Sequence, residues 1–259
     1  MLTDPDIARY REDGYVPPDW RMPMAQLDRV RAEADAMLER LPHYRDLHPA
    51  LMEEGGFWPE LAHDPALVGM VRKLIGDDLI VWSMGYFGKP ALNGKAPPWH
   101  QDGEYWPIRP LATCTIWLAL DDATVENGCL MVIPGSHKAG RLRRHHRNDA
   151  PDLTLNQEID LAEYDPATAQ PIELKAGQIS LHDAFMIHGS EANSTPNRRR
   201  GVTLRYMPAT SVFDRDLARR QHEEMGVVEH EFRRLYQVSG ADASGRNTLV
   251  RERPVAAED

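Results

Sequence analysis

The residues of this chain whose types and spacing could bind a metal ion begin with His100 and Asp102. In a β-strand, side chains two positions apart point to the same face, so this imidazole and this carboxylate would aim at one point. They are two of the three ligands of a two-His-one-carboxylate facial triad, which leaves positions open on iron for substrate and oxygen. A His-x-Asp pair also occurs by chance on protein surfaces. The prediction of a metal site therefore depends on finding a third ligand.

Two histidines, His182 and His188, are candidates for that third ligand. They lie six residues apart, so an unbroken strand would place both on one face, and spacing alone does not choose between them. Arg199 follows His188 at a distance of eleven residues and is the middle of three consecutive arginines. In a strand the middle arginine points opposite to its neighbours, and a guanidinium binds a carboxylate with two parallel hydrogen bonds. A metal site with such an arginine fits a dicarboxylate such as 2-oxoglutarate.

Two further basic features could contact an anionic substrate. Arg205 lies six residues beyond Arg199, on the same face of an unbroken strand, and could therefore reach the pocket. The segment RLRRHHR, residues 141–147, is the only strongly basic stretch. It is either a solvated loop or part of a mobile lid, because residues 138–170 are polar, lack periodicity and form a long excursion between strands.

The elements that would position these residues are mainly β-strands. Apolar residues at three- and four-residue steps predict helices at 25–41 and 65–75, and Thr3 or Asp4 could begin another that stops at Gly14. From residue 79 the pattern changes to short strands separated by turn signals, which is typical of a sandwich, jelly roll or barrel. Asn127-Gly128 is a strong hairpin signal. The predicted strands are 79–89, 113–120, 129–133, 179–181, 185–188 and 202–207.

The composition is typical of a soluble protein. Its 259 residues, 42% of them hydrophobic, fit a single domain with a substantial core. The formal net charge of −10 disfavours a nucleic-acid partner, because phosphate binding needs a basic surface. No apolar run approaches the length of a membrane span, and the polar N-terminus does not resemble a signal peptide, so a cytoplasmic location is expected. Cys114 and Cys129 lie in apolar runs and are predicted to be buried, reduced thiols.

Several segments together resemble the phytanoyl-CoA dioxygenase family, which also contains ectoine hydroxylase. The resemblance covers roughly residues 5–210, and the spacing from the distal histidine to the arginine, with a serine two residues after that histidine, follows the family pattern. The matching segments are IARYREDGYV near the N-terminus, WHQD at 99–102, the strand containing Trp117, ENGCLMVIPGSH at 126–137 and HDAFMIHGSEANSTPNRRRGVTLRYMP at 182–208.

The resemblance implies a fold and a set of site residues. The fold would be mainly β with flanking helices, a double-stranded β-helix of the jelly-roll, cupin-like type. The metal ligands would be His100, Asp102 and His188, which selects His188 over His182. The far carboxylate of 2-oxoglutarate would bind Arg199 and Ser190. The other implied contacts are Trp117 and Gln101 for the cosubstrate and Glu104, Tyr105, Trp106 and Arg205 for the substrate.

The domain would comprise residues 1–259, with a helical part to about 78, a jelly-roll core at about 79–210 and a helical, partly flexible tail from about 211. The tail is predicted to be helix-prone at 214–236 and poorly ordered from 238 onward. The implied cofactors are Fe(II), 2-oxoglutarate and O2.

The implied activity is hydroxylation of a small metabolite or natural-product intermediate, with desaturation or ring closure as alternative outcomes. Arg205 and the basic stretch favour an anionic or zwitterionic substrate, and no nucleic-acid or membrane partner is expected. A carboxylate at position 102 favours hydroxylation, since related halogenases have Ala or Gly there. Two other functions remain open: a cupin-type metal-dependent isomerase or hydrolase, and a non-catalytic binding protein with the same fold. The sequence does not indicate an oligomeric state.

Overall fold

The computed structural model describes residues 1–250 and shows helices that flank two packed antiparallel sheets, together with two separate two-stranded sheets. The first helix begins at the N-cap Thr3, whose hydroxyl and whose N–H form a capping box with Asp6, and it ends at Gly14, whose positive φ suits glycine. The predicted helix at 65–75 is confirmed with these bounds. The helices are α1 (Asp4–Asp13), α2 (Met24–Arg40), α3 (Phe57–Ala62), α4 (Pro65–Ile75) and α5 (Arg215–Met225).

The strands begin near the N-terminus, but the long ones lie between residues 79 and 208. They are β1 (Tyr15–Val16), β2 (Leu47–His48), β3 (Leu79–Lys89), β4 (Ile108–Arg109), β5 (Cys114–Ala119), β6 (Leu130–Val132), β7 (His145–Arg147), β8 (Gln157–Ile159), β9 (Gln170–Ile172), β10 (Ile179–Asp183), β11 (His188–Gly189), β12 (Arg199–Pro208), β13 (Val212–Phe213) and β14 (Tyr236–Ser239).

The larger sheet has seven strands in the order β1-β10-β5-β12-β3-β14, with β2 also paired to β3, and the two-stranded sheets are β4-β13 and β7-β8. Side chains alternate between its two faces. Val202, Leu204 and Tyr206 of β12 belong to the hydrophobic core formed with α1, α2 and α4, whereas Arg199, Thr203 and Arg205 point to the opposite face and line a cavity. The outer face of this sheet is therefore covered by the helices, and the inner face carries the polar groups.

A smaller sheet, β11-β6-β9, packs against that inner face. A second apolar cluster fills the space between them and includes Trp117 and Ala119 of β5, Val132 of β6 and Ile172 of β9. Two antiparallel sheets that pack in this way, with the cavity between them, confirm the predicted jelly-roll fold with flanking helices.

Three local predictions need correction. Asn127-Gly128 does not close a hairpin: β5 lies in the larger sheet and β6 in the smaller one, and the Asn127 side chain instead bonds Thr124 N and Asp122 O. Residues 185–187 are not a strand: the chain turns at 184–185, and 186–187 are irregular. In the tail, only α5 is helical, and residues 238–250 include part of β14 and a bridge between Leu235 and Leu249. The tail beyond residue 250 lies outside the described residues.

Cys114 and Cys129 are both buried free thiols, as predicted, and burial raises the pKa of the Cys129 thiol to about 11. Among residues 1–250, no helix combines the length and the apolar character needed to cross a bilayer.

Candidate metal and cosubstrate site

The two histidines of the predicted triad face each other across a backbone bridge. His100 and His188 form an isolated antiparallel bridge in which each N–H donates to the other's carbonyl, at 2.9 and 3.0 Å. The bridge adds the His-x-Asp segment to the edge strand β11 of the smaller sheet. Residues opposite each other in such a pair present their side chains on the same face. The two imidazole centroids therefore lie only 4.2 Å apart.

Hydrogen bonds on the far side of each ring leave Nε2 available to a metal. His100 Nδ1 contacts Pro98 O at 2.7 Å and His188 Nδ1 contacts Met186 O at 3.0 Å, so each Nδ1 carries the proton. Carbonyl partners of this kind fix the tautomer of metal-binding histidines. Burial lowers the pKa of His188 to about 3, which keeps the imidazole neutral.

The carboxylate completes the group. One ligand atom from each of His100, Asp102 and His188 lies within 4.8 Å of the others. Burial alone would raise the pKa of Asp102, but the adjacent His100 and His182 and nearby cations bring it well below its ordinary value. Two imidazoles that present Nε2 and an ionised carboxylate on one side of a cavity are the donor set of the facial triad, and they fit Fe(II).

His182, the competing candidate, lies beside this group rather than in it. Its Nε2 is 3.7 Å from Asp102 Oδ2, and its ring centroid is 5.0 Å from that of His188. Both ring nitrogens are buried without a hydrogen-bond partner among the described residues. His182 is on β10, and the chain turns at 184–187 before His188. The two histidines therefore approach Asp102 from different strands, not from one continuous strand.

Arg199 lies at the inner end of the same space. Its Nε and Nη2 donate to Gly128 O at 3.1 and 2.7 Å, and Nη2 is 3.3 Å from Ser190 Oγ. Burial lowers the pKa of Arg199 to about 10, so the guanidinium remains charged at neutral pH. Within residues 1–250 no carboxylate lies within salt-bridge distance of it. A narrow cavity connects Arg199 and Ser190 with His100, Asp102 and His188.

The three consecutive arginines divide as the strand alternation predicts. Arg200 points to the outer face, where it is buried, bonds both oxygens of Asp121 and also contacts Asp35. Arg198 is half exposed and near the same two aspartates. Arg199 alone of the three lines the cavity. The arginine run is therefore one inward cation and two outward ion pairs.

Trp117 forms the floor beneath Arg199. The guanidinium carbon lies 5.4 Å from the centroid of the indole, a cation–π distance. Gly201, next but one along β12, leaves the space that this ring occupies, because a Cβ there would overlap the indole. Trp117 and Ser190, which the family resemblance implied as cosubstrate contacts, both line the narrow cavity.

Gln101 corrects the sequence prediction. It is fully buried but does not line either cavity. Its Nε2 donates to Phe185 O at 2.6 Å, and its Oε1 accepts from Arg143 N at 2.6 Å. Strand alternation sends its side chain opposite to those of His100 and Asp102. Gln101 therefore holds the basic segment against the turn before His188 instead of contacting a cosubstrate.

The predicted substrate residues separate into two groups. Tyr105, Trp106 and Arg205 line a larger cavity of about 440 Å³ that also borders His100 and Asp102. Glu104 does not line it and faces His145, with Oε2 4.0 Å from Nδ1. Asp102–Tyr105 is a 3-10 turn, which rotates successive side chains by roughly a third of a turn, so neighbouring residues diverge.

Sequence reasoning missed several segments that line this cavity. Trp82 and Ser83 of β3 both border it, although neighbours in a strand should alternate. The register between β12 and β3 shifts there, since Arg205 pairs with Ser83 and Tyr206 with Val81, which leaves Trp82 as the extra residue of a bulge. Bulges re-aim side chains in this way near active sites. The cavity is also lined by residues 148–150 and 153–157 of the excursion and by 226–228 and 230 after α5. Leu47, Pro49 and Phe87 lie in its wall as well.

The basic stretch 141–147 is largely neutralised by nearby acids. Arg143 is 3.7 Å from Glu163, Arg144 is 3.2 Å from Asp160 and Arg147 is 2.8 Å from Asp149. Its last residues form β7, which pairs with β8. The segment thus supports one wall of the cavity as an ordered hairpin and is not a free cationic loop.

Comparison with known proteins supports the same family as the motifs. The sequence profile of phytanoyl-CoA dioxygenase (PhyH) matches residues 10–201. Among curated relatives, phytanoyl-CoA dioxygenase of Arabidopsis thaliana is 35% identical over 126 residues, covering 49% of this chain and 43% of that protein. Phytanoyl-CoA dioxygenase domain-containing protein 1 of Mus musculus is 34% identical over 155 residues, covering 58% and 52%. The chain matches only about half the length of these relatives.

Solved structures agree on the fold over nearly the whole chain. The non-haem monooxygenase ThoJ without ligand is 26% identical with a TM-score of 0.76, and the match covers 96% of this chain and 88% of that one. Its nickel complex is 25% identical with a TM-score of 0.70, covering 95% and 87%. The profile match extends from α1 into β12 and includes the His-x-Asp segment, His188 and Arg199. The chain belongs to the phytanoyl-CoA dioxygenase family.

Proposed function

We propose that this protein is an Fe(II)- and 2-oxoglutarate-dependent dioxygenase that hydroxylates an unactivated C–H bond of a small metabolite or natural-product intermediate. The reaction consumes O2 and 2-oxoglutarate and yields the alcohol, succinate and CO2. The observation that carries the proposal is the narrow cavity itself. It joins a three-ligand metal group to Arg199, a buried cation that no carboxylate of the described chain neutralises.

The roles of the residues follow from their places. His100, Asp102 and His188 would hold Fe(II), while Arg199 and Ser190 would bind the far carboxylate of 2-oxoglutarate over the indole of Trp117. When bound, iron and 2-oxoglutarate supply the oxidising chemistry, and the protein supplies position and a site that excludes water. The substrate, a small anionic or zwitterionic molecule, would occupy the larger cavity beside Tyr105, Trp106 and Arg205.

The test is the visible charge-transfer absorption that develops when 2-oxoglutarate chelates Fe(II). The protein is purified without oxygen, loaded with Fe(II) and titrated with 2-oxoglutarate, and oxygen is then admitted and succinate assayed. We expect the band in the wild type and its loss, or an affinity lower by about 10- to 100-fold, in Arg199→Met, because a charged hydrogen-bonding partner is removed.

Arg198→Met is the matched control. It removes a neighbouring arginine that is half exposed and does not line the cavity. Its band and 2-oxoglutarate affinity should match the wild type. If Fe(II) binds but no band forms, 2-oxoglutarate is not the cosubstrate, and a cupin-type isomerase or hydrolase becomes the better assignment. Failure to bind any divalent metal would instead favour a non-catalytic binding protein.

A further inference from the structure

The polar groups at the inner end of the larger cavity are mostly hydrogen-bond donors. Apart from these groups and the metal-binding residues, its walls are largely apolar and aromatic, and they include Leu47, Phe87, Leu153 and Val227. A cavity of this size and character suits a drug-sized organic molecule with an apolar body. The donors must therefore recognise a part of the ligand that is rich in acceptors.

Arg205 is the strongest of these donors. Its side chain is 8% exposed, its Nε is buried without a hydrogen-bond partner, and no carboxylate within residues 1–250 forms a salt bridge with it. The guanidinium lies between two rings, 5.8 Å from the centroid of Phe87 and 5.4 Å from that of Trp106. Asp102 acts on it electrostatically but faces the metal site. A buried cation without a partner costs free energy that an anionic ligand would recover.

Two residues that carry neutral N–H groups, Trp82 and His230, border the same space. The Trp82 indole N–H is fully buried and has no acceptor among the described residues. His230 Nδ1 accepts from Arg233 Nε at 3.2 Å, so the proton of the neutral ring is on Nε2. Burial lowers the pKa of His230 to about 3, which keeps the ring neutral. The His230 ring packs edge-on against Trp82, with centroids 5.7 Å apart, so these donors are neighbours.

Unlike the inner end of the larger cavity, its mouth is not lined by a cationic donor from the described part of the chain. The nearby arginines Arg143, Arg144 and Arg147 are each paired with an acid. The rim itself includes Asn148, Asp149 and Asn156. The phosphates of a coenzyme A thioester would need unpaired cations at this position. The charge is therefore arranged for an anion deep inside the cavity and not for phosphates at its entrance.

We propose that the substrate is a free organic acid with an apolar body, not a coenzyme A thioester, and that Arg205 binds its carboxylate with help from the N–H groups of Trp82 and His230. This proposal rests on the proposed function for the chemistry that follows binding. Because Arg205 lines both cavities together with His100 and Asp102, the carboxylate lies close to the metal group. The oxidised carbon is therefore expected a few bonds from the carboxylate.

The experiment measures binding without turnover. Protein loaded with Ni(II) and 2-oxoglutarate is titrated by calorimetry with 4-phenylbutyrate, 2-naphthoate and decanoate, with their methyl esters and with decanoyl-coenzyme A. We expect acids to bind, and esters and the thioester to bind at least tenfold more weakly. Arg205→Met should weaken the acids by about 10- to 100-fold and leave the affinity for 2-oxoglutarate unchanged. His230→Phe, which keeps a ring but removes the N–H, should weaken them by about 3- to 10-fold.

Thermal unfolding and a conservative substitution distinguish a binding role of Arg205 from a purely structural one. Without ligand, Arg205→Met should unfold at the same or a higher temperature than the wild type, because it removes an unpartnered buried cation; an arginine with only a structural role would lower that temperature. Arg205→Lys keeps a cation at the position and should retain part of the acid affinity. Arg144→Met, at an exposed arginine outside the cavity, is the control and should leave acid binding unchanged.

The proposal is overturned by tighter binding of decanoyl-coenzyme A than of decanoate, or by unchanged acid affinity in Arg205→Met. It is also overturned if Arg205→Met weakens 2-oxoglutarate instead, which would make Arg205 a cosubstrate residue. Failure of all three acids to bind, while the charge-transfer band forms with Fe(II), rejects the organic-acid proposal and leaves the proposed function standing. Absence of that band rejects the proposed function itself.

Discussion

The positions of the histidines around Asp102 are decided by the backbone more than by the spacing of the residues. His100 and His188 are fixed opposite each other by reciprocal backbone hydrogen bonds, and each donates its Nδ1 proton to a carbonyl. His182 is close to the same carboxylate but lacks such a carbonyl partner for either ring nitrogen. A ligand whose ring is oriented in this way binds a metal with less loss of side-chain freedom.

We therefore expect the two histidines to respond differently to the same substitution. His188→Asn should abolish Fe(II) binding or weaken it by more than about 100-fold, because it removes a ligand, whereas His182→Asn should weaken it by about tenfold at most. Calorimetric titration of the apoprotein with Fe(II) under anaerobic conditions measures both affinities. The reverse ranking would exchange the roles of the two residues.

Gly201 gives a test of the space that Trp117 occupies. A Cβ at this position would overlap the indole, so Gly201→Ala should displace the ring that lies against Arg199. We expect the affinity for 2-oxoglutarate, read from the charge-transfer band, to fall by about tenfold, with Fe(II) affinity unchanged, because the triad lies on other strands. Overpacking of this kind should also lower the free energy of unfolding by about 1–3 kcal/mol.

Gly69→Ala is the matched control. Gly69 is inside α4, where a Cβ would meet only Met1 Sδ at 3.8 Å, an ordinary contact. This substitution should raise the free energy of unfolding by about 0.5–1 kcal/mol, since alanine is the better helix former. If Gly69→Ala also lowered the free energy of unfolding, the loss of stability in Gly201→Ala could not be assigned to crowding of the Trp117 ring.

At the scale of the elements, periodicity predicted the long units well and the irregular ones poorly. The bounds of α4 and β3 could be predicted because their apolar patterns run without interruption between turn residues. The bulge at Trp82 could not be predicted, since it is visible only as a register shift against β12. The Asn127-Gly128 signal was strong locally, but the strands on either side of it joined different sheets.

The residues that form the walls of the larger cavity could not be predicted from periodicity either. Residues 148–157 and 226–230 have no period and reach the site only through tertiary packing. The metal group and Arg199, in contrast, were predicted because strand alternation and the family pattern both constrained them. Gln101 shows where a motif position misleads, because a residue between two ligands points away from both.

The position of Gln101 predicts that it controls the order of the neighbouring hairpin. Gln101→Leu keeps the volume but leaves Phe185 O and Arg143 N without their partners. We expect backbone amides in 143–147 and 157–159 to exchange with deuterium about tenfold faster or more, while those of β5 and β12 keep their protection. Hydrogen exchange with peptide-level mass spectrometry resolves these segments.

Gln26→Leu serves as the comparison. Its amide also donates a short hydrogen bond, to Asp64 Oδ2 at 2.6 Å, but lies between α2 and the start of α4. Exchange in 143–159 should not change in this variant. Unchanged exchange in Gln101→Leu would mean that the ion pairs of the hairpin, and not Gln101, keep it in place.

For the molecule as a whole, the central feature is the placement of cations inside an acidic protein. The chain has a net charge of −10, yet its inner sheet face carries Arg199 and Arg205, and neither pairs with a carboxylate among residues 1–250. Arg199 and Arg205 lie on one face of β12 and line the narrow cavity with the metal group. Lys89 is opposite Arg199 in the register. Burial of the unpaired Arg199 and Arg205 lowers the stability of the ligand-free protein, and the proposed anionic ligands would recover that free energy.

At Lys89, the free-energy cost of burying a basic group beside Arg199 is measurable as a dependence of protein stability on pH. Lys89 is 2% exposed, its Nζ donates to Glu191 O, and burial followed by the charge of Arg199 lowers its pKa to about 6 from the ordinary 10.5. Between these two values the unfolded chain binds one more proton than the folded chain. The free energy of unfolding therefore rises with pH in this window, and stability is lost as pH falls from 10.5 toward 6.

Lys89→Met removes this titration. We expect the free energy of unfolding of the wild type, relative to the variant, to rise by about 1 kcal/mol per pH unit between about pH 6.5 and 9. Urea denaturation of the ligand-free proteins at several pH values measures the difference. Lys175→Met removes an exposed charge instead and should differ from the wild type by only about 0.5 kcal/mol. If the difference in the free energy of unfolding between wild type and Lys89→Met did not change with pH, Lys89 would be charged in the folded protein, and burial would not lower its pKa.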